Sequence, residues 1–151
     1  MFVEYFRAPD RATAARAGWR GIAGSRLDGF RTGLMPEVEM GMLLALAQDR
    51  PWTADLVETE DVWPRRRFFR SRYQGPSIAE LSGASVRDFA SIAESAVPGL
   101  VTRWAQIEAF ALDSDIAVGD YTYLEQVAFE IIGLARRAQD AGDNLYVRLV
   151  L

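Results

Sequence analysis

Residues Thr122–Leu151, TYLEQVAFEIIGLARRAQDAGDNLYVRLVL, read as a long amphipathic helix that turns directly into an apolar strand. Thr122 and Glu125 stand at capping-box spacing, where each side chain would satisfy an orphan backbone N–H of the first turn. Leu124, Val127, Ala128, Ile131, Ala135 and Ala138 recur at three- and four-residue intervals, a stripe that has to be buried. Gly142 stands where a helix end calls for a left-handed residue, and Arg136 and Arg137 sit near the negative end of the dipole. Beyond it, Leu145, Val147, Leu149 and Leu151 alternate with Tyr146, Arg148 and Val150, the period of a strand.

Working outward, the chain of 151 residues is 50% hydrophobic, which suits one domain around one core. No apolar run approaches the roughly 18 residues needed to span a bilayer. The opening residues lack a basic then apolar leader, so a cytoplasmic protein is expected. The absence of cysteine excludes disulfides, thiolate catalysis and cysteine metal sites. Histidine is absent too, which removes the Ser-His-Asp triad, a histidine base and the usual zinc sites. All seventeen basic residues are arginine, so Schiff-base chemistry and the phosphate-loop lysine are also excluded. No cofactor is expected. The net charge of −4 weighs against a general nucleic-acid binder.

Phe2–Arg7 reads as an opening strand with bulky groups on both faces, as inside a sheet. Pro9-Asp10 opens a short alanine-rich helix through Ala17. The glycines from Gly18 to Gly33 read as a loop, with a short strand at 30–32; a phosphate cradle would need a preceding strand and a lysine. Pro36–Gln48 is a helix with Glu37 and Glu39 in its first turn. Short extended pieces are expected at 54–58 and 61–63, and another strand at 78–81. Ser85 is expected to cap a helix reaching Val97, and Pro98-Gly99 to start another carrying Leu100, Trp104, Ile107 and Ala111. Asp113, Asp115 and Asp120 hint at calcium, but Ala117 and Leu124 stand where an EF-hand needs ligands, so they read as caps in a solvated loop. The sum is a single α+β (or α/β) domain, about five helices on a small sheet that includes both terminal strands.

The site-like signal is Arg65, Arg66, Arg67, Arg70 and Arg72, interleaved with aromatics and flanked by Trp63 and Tyr73. It is either a surface for nucleic acid, phosphate or an acidic partner, or a set of cross-strand partners for Asp55, Glu58, Glu60 and Asp61. The second reading is favoured. Trp19, Trp52, Trp63 and Trp104 are further anchor candidates, since tryptophan and arginine dominate interface hot spots.

From Gly75 onward the chain resembles the YfbM-like family of uncharacterised bacterial proteins. The shared features are Gly75-Pro76 ahead of Leu81-Ser82, Val86 with Phe89-Ala90, and Leu100 followed by Arg103-Trp104. Leu134, Arg137-Ala138, Gly142-Asp143 and the closing apolar strand complete it. The resemblance implies a small α/β fold and no established activity. In size and acidity the chain is also like the immunity proteins that neutralise bacterial toxins. A non-catalytic protein-binding module of that type is therefore expected, with another protein as partner, nucleic acid less favoured and no membrane. The alternatives are a nucleic-acid or anionic-ligand binder through residues 65–72, or a carboxylate-dependent enzyme. For the latter the pairs Glu37/Glu39 and Glu58/Glu60 exist, but i, i+2 spacing on a helix points such carboxylates apart.

Overall fold

The computed structural model describes residues 1–64, 73 and 75–151. Five antiparallel strands form one sheet in the order β2-β1-β5-β4-β3, so the two terminal strands lie side by side at its centre. They are β1 (Phe2–Ala8), β2 (Gly29–Thr32), β3 (Thr59–Trp63), β4 (Ser77–Leu81) and β5 (Asn144–Val150). β5 pairs with β1 over its whole length, from Phe2 opposite Val150 to Ala8 opposite Asn144, and with β4 on its other side.

Seven helices are described, where about five were expected: α1 (Arg11–Ala15), α2 (Ala17–Ser25), α3 (Gly41–Ala47), α4 (Gly83–Ala90), α5 (Val97–Trp104), α6 (Ser114–Ala117) and α7 (Thr122–Ala141). One face of the sheet packs Val3, Tyr5, Leu145 and Val147 against the α7 stripe and against α3, α4 and α5. The alternate residues Phe6, Ala8, Ile78 and Tyr146 face the other way and bury against Ala14 and Ala17 of α1–α2. The period-2 pattern of β1 and β5 thus feeds two cores, a large one and a small one, in a three-layer domain.

Several local expectations are corrected. The glycine-rich segment after Ala17 is helical rather than a loop. α2 is kinked at Gly21, whose φ of 68° and ψ of −179° only glycine adopts easily. Here tertiary contact overrides a propensity penalty of about 1 kcal/mol per glycine. The expected capping box of α7 does not form: Tyr121 occupies the cap, and the Thr122 N–H donates to Asp120 Oδ1 instead. The cap of α4 is Ser82, which accepts from the Ser85 N–H, while Ser85 itself is buried. α4 ends at Ala90, and Val97 belongs to α5, whose first turn accommodates Pro98-Gly99. α5 stops at Trp104, and a separate 3-10 turn, Glu108–Phe110, follows. Residues 54–57 are turn and bend rather than strand, and β3 starts only at Thr59.

The helix expected from Pro36 begins as a π-helical turn, Pro36–Met40. Its wide turn leaves carbonyls open to side chains, and two indoles take them. Trp52 Nε1 donates to Glu37 O at 3.0 Å and Trp104 Nε1 to Glu39 O at 2.9 Å. Gly142 ends α7 in the left-handed region at φ 69°, as its position in the sequence predicts. Among the described residues no helix is long and apolar enough to cross a membrane.

Candidate functional site

Trp63 ends β3, the edge strand of the sheet, and Tyr73 precedes its neighbour β4. The arginine run itself, and its expected pairing with Asp55, Glu58, Glu60 and Asp61, lie outside the described residues. Of those acids, Glu60 is held by Arg11, with Nη2 to Oε2 at 2.6 Å, and this lowers its carboxyl pKa.

The two flanking aromatics are brought together. The rings of Trp63 and Tyr73 meet edge to face at 6.4 Å, and a third ring, Trp19 of α2, meets Trp63 in the same way at 5.6 Å. Such contacts contribute about 0.5–1.5 kcal/mol beyond area burial. Trp63 and Tyr73 are half-buried, whereas Trp19 keeps 70% of its surface exposed. Glycine makes the packing possible. A Cβ on Gly18 would lie 2.8 Å from the Trp63 ring, and one on Gly75 would lie 2.6 Å from Tyr73 Oη. Tyr73 Oη donates to Pro76 O at 2.8 Å, and burial pushes its pKa up against the opposing charge of Arg148.

Beneath these rings a charged network pins α2 to the sheet. Glu4 is fully buried on β1. It accepts from Arg148 Nη1 at 2.9 Å, from Arg31 Nη2 at 2.7 Å and from the Ile22 N–H at 3.3 Å. Arg148 Nε donates in turn to Gly18 O at 2.8 Å, directly below the Trp63 contact. The left-handed Gly21 lets the chain pass close to this carboxylate, since a Cβ there would sit 3.2 Å from Glu4 Oε2. A carboxylate satisfied by two guanidiniums and an amide holds the layer in one geometry.

No family model matches the chain, nor does any curated protein or solved structure. The site is therefore read from its own chemistry.

Of the tryptophans singled out in the sequence, Trp104 is fully core, Trp52 is exposed with its Nε1 bound to Glu37 O, and Trp19 and Trp63 pack together beside Tyr73. In the sequence Trp19 is one of four tryptophan anchor candidates, with nothing to set it above the others. The signal available was its position between Arg16 and Arg20 within residues 11–27, which hold four arginines and no acid.

A cleft of about 350 Å³ lies at the other end of β3, lined by Arg11, Glu58, Glu60, Glu80, Ser82 and Asn144 among others. Its principal charges satisfy one another, for Arg11 binds Glu60 and also Glu80, with Nε to Oε2 at 2.5 Å. The acids of the suspected calcium loop act as caps: Asp113 Oδ1 accepts from the Asp115 and Ile116 N–H groups, and Asp120 from Thr122. Among the described residues no three acidic side chains gather to hold a metal.

Proposed function

We propose that this chain is a non-catalytic protein-binding module of the immunity type, and that its contact face is Trp19, Trp63 and Tyr73 with the adjoining Arg65, Arg66, Arg67, Arg70 and Arg72. The observation that carries the reading is the exposed Trp19 indole packed on Trp63, which in turn meets Tyr73, the two residues that bracket a run of five arginines in the sequence. Tryptophan, tyrosine and arginine are the residues around which interface hot spots are built. An indole left 70% exposed forgoes burial that a partner would supply. Membership of the YfbM-like family and a cytoplasmic location belong to the same proposal, the first resting on the motifs from Gly75 onward and the second on a cysteine-free composition.

The test is capture from the source cell's lysate on the immobilised chain, after nuclease treatment, with Arg66→Glu/Arg67→Glu as the control. A protein retained by the wild type and lost with the variant is the expected result. Retention that vanishes on nuclease treatment would reassign the face to nucleic acid.

A further inference from the structure

We infer that the α1–α2 layer is itself the recognition element, with Trp19 as anchor and Arg16 and Arg20 as clamps for an acidic protein segment that carries an apolar side chain among carboxylates. This rests on the reading above that the face binds a protein.

Arg16, Trp19 and Arg20 stand at i, i+3 and i+4 and are all exposed, so they share one side of a helical turn. None of Arg16, Arg20 and Arg26 has a carboxylate within ion-pair distance among the described residues. Arg7, Arg11, Arg136, Arg137 and Arg148, by contrast, are all paired. Arg16 feels the Asp10 carboxylate without contacting it, and guanidiniums outside any ion pair beside an exposed indole offer planar forks for carboxylates on either side of an apolar contact.

The distribution of charge points the same way. Residues 12–27 and 65–72 together hold eight of the seventeen arginines and none of the twenty-one acids. The rest of the chain carries nine arginines against those twenty-one, a net −12. Such a body repels an extended polyanion such as a duplex or an anionic bilayer, whereas a compact acidic segment can meet the α1–α2 face alone. The layer is also preorganised. The Glu4–Arg148 pair and the Gly18–Trp63 contact fix its backbone, so little ordering cost remains to binding.

The experiment titrates a fluorescein-labelled peptide, a single leucine within a run of glutamates, against the full chain by anisotropy, with a glutamine-for-glutamate peptide as control. Micromolar binding that weakens with salt is expected. Trp19→Ala and Arg16→Glu/Arg20→Glu should each weaken it about tenfold or more, the scale of a hot-spot loss. Arg16→Glu/Arg20→Glu should melt with wild type because both side chains are exposed, Trp19→Ala should lose no more than the few degrees its contact with Trp63 supplies, and Trp19→Phe should recover part of the affinity. Equal binding of the glutamine peptide, or binding indifferent to Arg16 and Arg20, would overturn the inference. Tighter binding of a mixed-sequence duplex or of anionic vesicles through the same residues would overturn the choice of occupant. If Arg66→Glu/Arg67→Glu alone abolishes peptide binding, this inference fails while the protein-binding reading stands. If no captured protein and no peptide binds, both fail.

Discussion

Replacing Arg148 by methionine should cost far more than an ordinary surface change, because it leaves Glu4 stranded. Glu4 is fully buried, and Arg148 is its one nearly buried partner, with a side chain 7% exposed; Arg31 remains 58% exposed. Breaking a buried pair from one side costs about 3–5 kcal/mol, against a total stability of about 5–15 kcal/mol for a domain. The Gly18 carbonyl loses its donor in the same step. At about 2–4 °C per kcal/mol for a chain of this size, the melt should fall by on the order of 10 °C. The double replacement Glu4→Leu/Arg148→Met removes both charges and should recover much of the loss, since apolar substitutes for a buried pair are often neutral. Circular dichroism melts and urea titrations of the two singles and the double read the coupling directly. If Arg148→Met costs less than about 1 kcal/mol, or if the two sites are additive, Glu4 and Arg148 do not hold the α1–α2 layer as described.

Deleting residues 144–151 removes a central strand paired on both sides and uncovers the Ile131 face of α7, so the cooperative melt should vanish; a monomer that still melts near wild type would contradict the sheet order. Gly18→Ala should drive its new methyl into the Trp63 ring and cost about 1–3 kcal/mol, with altered tryptophan fluorescence; unchanged emission would show that the ring does not rest there. Arg137 and then Arg7 hold the Asp28 carboxyl below its ordinary range, so its stabilisation is present at neutral pH and lost as pH falls below about 4. Asp28→Asn should therefore flatten the acid side of the stability curve and leave a smaller difference from wild type at low pH than at pH 7. Millimolar calcium should not raise the melt, because Asp113 and Asp120 already accept backbone N–H groups; a rise of several degrees reversed by chelator would refute this.

The elements written in strict periodicity were legible in the sequence. Val3 and Tyr5, like Leu145 and Val147, alternate cleanly with residues of the opposite face, and the α7 stripe leaves few alternatives. What failed were features decided by distant partners. α2 was hidden because Gly18 and Gly21 read as loop formers, whereas they are required by the Trp63 ring and the Glu4 carboxylate. The two chain termini pair at the centre of the sheet, and Glu4 meets Arg148 across 144 positions, a separation no local pattern reports. The site was half visible. Trp63 and Tyr73 were marked by their basic neighbours, but Trp19 joins them only when α2 folds back over the sheet. The π-helical turn was equally hidden, since its stability draws on indoles from residues 52 and 104.

The most direct test of the binding face is amide hydrogen exchange on the complex with the captured partner. Protection gained over α1–α2 and over the segments flanking Trp63 and Tyr73, with α7 and residues 105–121 unchanged, is the expected pattern. Protection confined to α7, or to the cleft between Arg11 and Gly83, would place the partner elsewhere and contradict the assignment of Trp19 as anchor.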